Sequence, residues 1–518
     1  MARVTQRRGP SVVVRRISRA ALCYPPGSVS QLPLPLAPPP PPEGARAVPR
    51  RAKIHVNRNL RLDALSAVGF DMDYTLAIYR QSEMDRLQID VTVQKLVERG
   101  HPSSLLDIAY PTDFAIRGLH VDKKLGNVLK MDRYRYVKRG YHGMREIARD
   151  ERRRLYSQKP VQPGTKRYHW VDTLYVLPEV SVFSAAVEHL EASGRVVDYA
   201  ALFDDVRKCI DLAHQDGSVV EVIARDPERF VERDPLLPIA LERLRASGKK
   251  VFVVTNSSAR YTATILAYLL DDPARGITYR SYFDAIVCAS KKPRFFTEPE
   301  LAIEPAEEGL AAPNGTLEPG RLYQGGCLAE LERYLGESGD EILYVGDHIY
   351  GDVLRAKKES AWRTMMIVQE MGAELDAHDR VAAELARLDE LFEVGEILHD
   401  ELRMHQAQLR AVEESIATAP ERVPSSMQGA RITHRRALER VKVKLAALDA
   451  ERDLLEDGVE RAYHPYWGSL FKAGSEVSSL GDQVEQYACL YTDRVSNLVH
   501  YGPSHYFRGP RDRMPHEL

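Results

Sequence analysis

The sequence predicts an α/β fold: a Rossmann-like, mostly parallel sheet with a large inserted α+β cap and a C-terminal helical hairpin. Short apolar segments alternate with amphipathic helical segments, which is typical of parallel sheets covered on both faces. Several apolar segments end on polar side chains, and such sheets bind ligands at the carboxyl ends of their strands. Apolar stripes that step by three and four after residue 375 predict the hairpin.

The first 53 residues differ in character from the rest of the chain. The segment MARVTQRRGPSVVVRRISRAAL carries many arginines and no acid, and a proline-rich segment follows it. This composition fits an organelle transit peptide or a disordered basic tail that runs into a polyproline-II linker. We favour the second interpretation and assign no fold to residues 1–53.

Charge and cysteine content exclude several classes of protein. The formal net charge of −2 over 518 residues argues against a generally basic surface that binds nucleic acid. No apolar segment is long enough for a transmembrane helix, so we expect no membrane partner. The five cysteines form no CxxC pair, which favours a cytoplasmic location over a disulfide framework or a zinc site. They are Cys23, Cys209, Cys288, Cys327 and Cys489.

The predicted catalytic core comprises residues 54–81 and 246–375. Ala67 to Phe70 is predicted to form a buried strand, with a loop that begins at Asp71. The segments VFVVTNSS, YFDAIVCASKKPRFF and EILYVGDHIYGD repeat this pattern of an apolar strand followed by a polar loop. Residues 82–245 mix helical segments with short strands, and we expect them to form a cap inserted between the first two core strands.

Residues 376–465 are predicted to form the helical hairpin, whose two apolar stripes are joined by the turn-rich segment ATAPERVPSSMQG. Packing is the expected role of such stripes, against the same chain or against another subunit. The aromatic-rich segment 466–518 is too apolar for a loose end, so we expect it to pack on the core or at a subunit interface. We also expect a homo-oligomer, either a dimer or a tetramer.

Two acids, Asp71 and Asp73, follow the first buried strand. A carboxylate forms an aspartyl-phosphate when a cation screens the charge of the phosphate that it attacks. A second acid two residues later is placed to move protons at the attacking or leaving oxygen. Asp347 and Asp352 in GDHIYGD offer further oxygen ligands for a hard cation such as Mg²⁺. A lone DxD is usually a capped turn, but here four strand ends carry matching chemistry.

The four segments resemble the motifs of the haloacid dehalogenase superfamily. DMDYT fits the first motif, VFVVTNSS the second, KKP the third and GDHIYGD the fourth, in that order. Flanking segments such as GFDMDYTLAIY, ILYVGDHIYGDVLRAKKESAWRT and GSLFKAGS resemble the cytosolic purine 5′-nucleotidase II type, which prefers IMP and GMP. The resemblance covers the chain from about residue 54 to its end.

The resemblance implies a role for each motif residue. Asp71 would be the nucleophile, Asp73 the general acid/base, and Lys292 the cation that neutralises negative charge during phosphoryl transfer. The residues expected to bind the phosphoryl oxygens are Thr255, Asn256 and Ser257. The expected Mg²⁺ ligands are Asp71, Asp73 (through its backbone carbonyl), Asp347 and Asp352.

Substrate choice is expected to depend on the cap. The segment GLHVDKKLGNVLKMDRYRYVKRGYHG resembles a family segment in which His-Gly precedes an aromatic residue that stacks on the base. This position holds Met144, which departs from the family pattern, and Tyr141 is the nearby aromatic candidate. The segment WVDTLYVLPE resembles one with another polar base contact, which makes Asp172 a candidate.

The leading prediction is a Mg²⁺-dependent 5′-nucleotidase that hydrolyses purine nucleoside monophosphates such as IMP and GMP through an aspartyl-phosphate. The same intermediate would allow phosphoryl transfer to a nucleoside. One alternative is a phosphatase of the same superfamily that acts on another small phosphate ester. Another is a non-catalytic interaction protein built on the hairpin, and the intact acid pair and lysine argue against it.

Overall fold

The computed structural model describes residues 48–158, 160–299, 301–307, 316–418 and 424–510. Twenty strands lie in these ranges: β1 His55–Val56, β2 Leu60–Arg61, β3 Ala67–Phe70, β4 Ile78–Tyr79, β5 His120–Asp122, β6 Asn127–Met131, β7 Val137–His142, β8 Arg145–Glu146, β9 Tyr168–Trp170, β10 Val231–Glu232, β11 Lys250–Val254, β12 Ala285–Cys288, β13 Ile303–Pro305, β14 Leu322–Gly325, β15 Ile342–Gly346, β16 Arg363–Ile367, β17 Lys472–Ala473, β18 Glu476–Val477, β19 Leu490–Thr492 and β20 Tyr506–Phe507.

Fifteen α-helices lie in the same ranges: α1 Gln81–Glu98, α2 Arg149–Tyr156, α3 Leu177–Ala192, α4 Tyr199–Gln215, α5 Val220–Arg225, α6 Pro227–Phe230, α7 Leu236–Ala246, α8 Ala259–Leu270, α9 Arg294–Thr297, α10 Leu328–Leu335, α11 Arg355–Ser360, α12 Met371–Arg380, α13 Ala382–Thr418, α14 Ser425–Tyr463 and α15 Ser479–Tyr487. None of these helices combines the length and the apolar character that a membrane crossing requires.

The core is a nine-stranded sheet in the order β1-β19-β16-β15-β3-β11-β12-β14-β13. Its strands run parallel, except that the two edge strands, β1 and β13, pair antiparallel with their neighbours. The structure thus confirms the predicted α/β fold with a mostly parallel sheet. Because β3 lies between β15 and β11, the loops that follow these three strands meet at one edge of the sheet.

The central strand β3 is buried along its whole length, as expected for a strand with helices on both faces of its sheet. Gly69 at its centre allows a close approach to the neighbouring strand, since a Cβ there would lie 2.2 Å from the Phe252 ring. The backbone N–H of Asp71 donates to the carbonyl of Val345 on β15 at 2.8 Å. This bond fixes the start of the catalytic loop against the neighbouring strand.

The cap is built on a five-stranded antiparallel sheet in the order β8-β7-β6-β5-β9. Helices α1, α3 and α4 pack together beside this sheet, and β10 pairs with β4 where the cap rejoins the core. The predicted cap boundary at residue 245 falls inside α7. This helix packs on the core strand β11, so it belongs to the core.

The two long helices of the hairpin, α13 and α14, pack against each other in the same chain. Their contact residues are Leu391, Leu398, Val441, Leu445 and Leu448. The C-terminal segment packs on the core by adding β19 to the core sheet, between β16 and β1.

The predicted tail of residues 1–53 lies outside the described residues except at its end. There, Arg51 binds Asp376 of α12, with Nε donating to Oδ1 at 2.9 Å. The predicted boundary at residue 53 is therefore too late, because this ion pair and that between Arg50 and Asp379 join the preceding residues to the globular part.

Candidate active site

A cavity of about 910 Å³ lies at the carboxyl edge of the core sheet. Asp71, Asn256 and Asp347, which line it, belong to the loops after β3, β11 and β15. The cap lines the cavity through α4, from which Arg207 and Asp211 face the space. The cavity therefore lies between core and cap, with the predicted catalytic motifs on the core side.

Three acids and one lysine form a buried cluster in this cavity. The carboxylates of Asp71, Asp347 and Asp352 each offer an oxygen, and these oxygens lie within 4.8 Å of one another. The Lys292 ammonium lies 2.9 Å from Asp71 Oδ1 and 2.7 Å from Asp352 Oδ1, and it also donates to the Tyr344 hydroxyl at 3.1 Å. The structure thus brings residues of three predicted motifs into direct contact.

Burial perturbs the ionisation of this cluster. Burial raises the pKa of Asp71 well above its usual range, an effect that Lys292 opposes and that Asp352 and Asp347 reinforce. Burial, together with Asp352, raises the pKa of Asp347 to about 7. Burial disfavours the charge of Lys292, but Asp352 and Asp71 raise its pKa well above its usual range. Lys292 pairs with two of the three carboxyl groups, so the cluster favours a further positive charge.

Asp73 is held by two hydroxyl groups. Tyr79 donates to its Oδ1 at 2.6 Å, and Ser257 donates to its Oδ2 at 2.6 Å. The Tyr79 hydroxyl also lies 2.9 Å from that of Tyr261. Burial raises the pKa of Asp73, although both hydrogen bonds oppose the rise. A carboxyl group that is fixed in orientation and has a raised pKa is suited to proton transfer.

The loop after β11 supports Lys292 as well as Asp73. The side chain of Asn256 accepts from the backbone N–H of Lys292 at 2.5 Å and donates to its carbonyl at 3.2 Å. Asn256 and Ser257 line the cavity. Thr255 is fully buried, and its hydroxyl accepts from the backbone N–H of Ser257 at 3.1 Å. Thr255 is not part of the cavity lining, and its hydroxyl instead stabilises the conformation of this loop.

Asp172 lies where the cap meets the core. Its Oδ2 is 2.9 Å from Nε2 of His348, which follows Asp347 in the fourth motif. Burial disfavours the charge of His348, but the hydrogen bond to Asp172 raises its pKa. Both residues line the cavity. Asp172 thus holds a cap segment against the loop that carries Asp347.

Tyr141 and Met144 are not part of the cavity lining, which corrects the prediction that they contact the base. The ring of Tyr141 packs against Trp467, with 4.8 Å between ring centroids, and its hydroxyl donates to the Tyr466 carbonyl at 3.1 Å. The backbone N–H of Met144 donates to Glu188 at 3.0 Å. The cap sheet directs this segment toward the C-terminal segment and α3, so neither side chain faces the catalytic cluster.

The sequence predictions identified Asp172 on the cap side of the cavity but missed four of its other polar or aromatic lining residues. They are Tyr175, Arg207, Asp211 and His214. The last three lie at positions i, i+4 and i+7 of α4, which places them on one face. This spacing indicates a polar face on the helix, but it does not show that the face borders the cavity. Arg207 is held from behind by His169 Nε2 at 2.9 Å and by the buried Glu179 at 3.4 Å.

The acid cluster fits a hard divalent cation. Buried carboxylate oxygens within ligand distance of one another are the donor set that Mg²⁺ takes in proteins, usually with water and substrate oxygens completing the shell. Among the described residues, Asp71, Asp347 and Asp352 are the acids whose oxygens lie close enough together to hold one metal ion. The side chain of Asp73 is instead engaged by Tyr79 and Ser257.

A parallel sheet that presents a DxD loop, a hydroxyl-bearing loop, a lysine and an acidic loop at one edge defines a phosphatase of the haloacid dehalogenase type. The chain belongs to the 5′ nucleotidase family, whose model matches residues 54–518. The predicted resemblance and the prediction of an enzyme of the 5′-nucleotidase class are thereby confirmed.

A 5′-nucleotidase domain-containing protein of Dictyostelium discoideum is 26% identical over 482 residues, which span 90% of this chain and 75% of that protein. CbbY from Rhodobacter sphaeroides, solved in complex with phosphate, aligns over 58% of this chain and 86% of its own at 15% identity, with a TM-score of 0.23. A 2-haloacid dehalogenase from Pseudomonas syringae aligns over 60% of this chain and 88% of its own at 16% identity, with a TM-score of 0.22. TM-scores this low do not bear on the fold, which the strand order defines.

Proposed function

We propose that the protein is a Mg²⁺-dependent 5′-nucleotidase that hydrolyses purine nucleoside 5′-monophosphates such as IMP and GMP through a phosphoryl-aspartate on Asp71. The observation that carries the proposal is the contact of Lys292 with both Asp71 and Asp352 inside the cavity shared by core and cap. Asp73 lies in the same cavity, with its carboxyl group fixed by two hydrogen bonds.

The first step forms a bond between a carboxylate oxygen of Asp71 and the substrate phosphorus, while the bond from phosphorus to the nucleoside 5′-oxygen breaks. Asp73 gives its proton to that departing oxygen, which leaves as the nucleoside hydroxyl. In the second step Asp73 takes a proton from water, whose oxygen bonds to phosphorus. The bond from phosphorus to Asp71 breaks, and inorganic phosphate leaves. Lys292 offsets the negative charge on the phosphoryl oxygens in both steps.

Asp71, Asp347 and Asp352 would hold the Mg²⁺ ion. When bound, the ion supplies positive charge that screens the phosphate from the carboxylates and favours the ionised form of Asp71. A nucleoside hydroxyl in place of water in the second step would give phosphotransferase activity, which we include in the proposal.

The purine preference is supported by the cap side of the cavity. The rings of Tyr175 and His214 lie with their centroids 4.2 Å apart and offer an aromatic surface for a base. Arg207 donates hydrogen bonds and Asp211, when ionised, accepts them. A 6-oxopurine presents an acceptor at O6 beside a donor at N1, whereas adenine presents the opposite pair. The donor and acceptor on α4 thus match hypoxanthine and guanine better than adenine.

A substrate panel tests the proposal. Phosphate release is measured from nucleoside monophosphates and sugar phosphates, with Mg²⁺ and with EDTA, for the wild type and for Asp71→Asn. We expect release from IMP and GMP that EDTA and Asp71→Asn both abolish, with the variant still folded by circular dichroism. Preference for a sugar phosphate would contradict the nucleotidase assignment. Release from no substrate would contradict enzymatic function altogether.

Location and assembly stay predictions. A cytoplasmic protein and a homo-oligomer, a dimer or a tetramer, are what we expect, with the nucleoside monophosphate as the small-molecule partner. Sedimentation of the full chain would determine the oligomeric state.

A further inference from the structure

A second cleft lies on the cap, between helix α2 and strand β7. Its volume is about 240 Å³, and it shares no lining residue with the catalytic cavity. Four cationic and two aromatic side chains make up most of its lining: Lys138, Arg149, Arg152, Arg153, Tyr136 and Tyr156. The cleft is thus mostly basic and aromatic.

The local sequence concentrates positive charge around this cleft. Residues 132–157 contain nine arginines and lysines against four acids, in a chain whose net charge is −2. On α2, Arg149 lies three residues before Arg152 and four before Arg153, so the three guanidinium groups project from one face of the helix. Tyr136 directly precedes β7 and Lys138 lies on it, and both line the cleft.

The three arginines of this face have no carboxylate partner within ion-pair distance among the described residues, and their side chains donate no hydrogen bond to a described residue. The nearby acids are already engaged. Glu146 and Glu460 bind Arg139 at 3.5 and 2.5 Å, and Glu151 binds Arg145 at 3.2 Å.

Asp132, the acid that pairs with Lys138, also has its hydrogen-bond partners within the chain. Asp132 accepts from the backbone N–H groups of Tyr134 and Tyr136 and lies 3.2 Å from the Lys138 ammonium. Within the cleft, the donors of the arginines therefore exceed the acceptors that the described chain offers.

Arg152 shows the cost of this arrangement. Burial lowers the pKa of its guanidinium and Arg139 and Arg149 lower it further, against the opposing effect of Glu146 and Glu460. Clustering like charges in a partly buried cleft is unfavourable unless an anion compensates them. Tyr156 does not supply that anion, because its hydroxyl is hydrogen-bonded to Asp122 and Asn127.

We propose that this cleft binds a compact anion that carries two or three linked phosphate groups. Arginine forks match phosphate oxygens in a bidentate geometry, and several of them in one cleft favour a ligand with several phosphates over a single carboxylate. The volume is below the range usual for drug-sized ligands, which favours a short phosphate chain. Such a chain occurs as inorganic polyphosphate or as the tail of a nucleotide, whose base would lie outside the cleft near Tyr136.

Isothermal titration calorimetry of the full chain with inorganic tripolyphosphate tests the proposal. The wild type is compared with Arg152→Ala, with Arg153→Ala and with the control Arg154→Ala, which removes an exposed arginine of the same helix outside the cleft lining. We expect each cleft variant to bind about tenfold more weakly and the control to bind like the wild type. Thermal unfolding checks that each variant is folded. If Arg152→Ala is unstable, Arg153→Ala, at an exposed position, provides the test.

Equal weakening by Arg154→Ala and by the cleft variants would overturn the proposal, since it would show a general charge effect. The proposal also fails if tripolyphosphate binds the wild type only at the catalytic cavity, so that the cleft variants retain all binding. A nucleoside triphosphate arm identifies the source: tighter binding than tripolyphosphate points to a nucleotide, and equal or weaker binding points to the inorganic chain. Phosphate release from IMP is expected to be unchanged in the cleft variants, so failure here is separate from failure of the proposed function.

Discussion

Lys292 lies between two buried carboxylates, with its ammonium 2.9 Å from Asp71 and 2.7 Å from Asp352. Its side chain is only 4% exposed, so water contributes little to its solvation. A buried charge whose partners are removed is strongly destabilising, whereas one that is kept in contact with them can stabilise developing negative charge. This lysine thus links the proposed nucleophile to the acidic loop.

Replacement of Lys292 by Met keeps the length of the side chain and removes the charge. We expect turnover to fall by about 10²–10³-fold, as is typical when one preorganised charge donor is lost from a transition state. Steady-state phosphate release measures the effect. Lys291→Met is the matched control, because Lys291 is exposed and next in sequence. Turnover of Lys292→Met equal to that of the control would contradict the role of Lys292.

Asp85 on α1 is a buried acid outside the catalytic cluster. Gln81 donates to its Oδ1 at 2.7 Å, and burial raises its pKa to about 8. The unfolded chain releases this proton near pH 4, so between about pH 4 and pH 8 the folded state binds more protons than the unfolded state. The contribution of Asp85 to stability therefore falls as pH rises through this window.

Asp85→Asn removes the titrating group but keeps a neutral side chain of similar shape. We expect the melting temperature of the variant to gain on that of the wild type as pH rises from about 5 to about 8. Thermal unfolding across this range checks the result. Asp90→Asn, an exposed position on the same helix, is expected to show no such trend. A constant difference between wild type and Asp85→Asn at all pH values would contradict the raised pKa.

The motif residues were predictable because each follows its own strand, and parallel strands bring their carboxyl ends to one edge. Asp71, Asp73, Lys292 and Asp347 meet in the cavity for this reason. The hydrogen bond from the Tyr79 hydroxyl to Asp73 was not predictable. A tyrosine in an apolar strand looks the same in the sequence whether its hydroxyl donates a hydrogen bond or its ring only packs.

Helix α4 carries the polar face that borders the cavity. Arg207 and Asp211 lie one helical turn apart on this face, and the next residue along the helix, Lys208, points elsewhere, with a side chain that is 62% exposed. The buried Glu179 on α3 lies 3.4 Å from the Arg207 guanidinium, and burial raises its pKa to about 7. Two cap helices thus position one arginine toward the substrate space.

Arg207→Ala is expected to raise KM for IMP by about tenfold and to leave kcat nearly unchanged, because a contact to the base is made equally in ground state and transition state. Initial-rate kinetics measure both constants. Lys208→Ala, which removes a cation from the same helix without facing the cavity, should leave both near the wild-type values. A fall in kcat without a change in KM would show that Arg207 acts at the phosphoryl group instead of the base.

The cap shows where sequence patterns stop being informative. The His-Gly segment predicted that Tyr141 contacts the base, yet this ring contacts Trp467, more than 300 residues later in the chain. Which face of β7 meets the C-terminal segment depends on how two distant parts of the chain pack. The polar face of α4 was visible in the sequence, but its neighbour was not.

Residues near both ends of the described part of the chain complete the catalytic core. Strand β19 adds to the core sheet between β16 and β1, although it lies beyond the hairpin in sequence. The backbone N–H of Val368, just after β16, donates to the carbonyl of Thr492 in β19 at 2.7 Å. The hairpin packing followed from its leucine spacing, whereas the late strand is too short for periodicity to reveal it. The sheet that supports Asp71 therefore depends on residues near both ends of the globular part.

Asp71 is proposed to accept the phosphoryl group. Rapid acid quenching during turnover of IMP that carries radioactive phosphorus, followed by peptide mapping, tests this assignment. We predict label on the peptide that contains Asp71, released by hydroxylamine as expected for an acyl phosphate, and no label or turnover in Asp71→Asn. Normal turnover by Asp71→Asn, or label on another peptide of the wild type, would contradict the account.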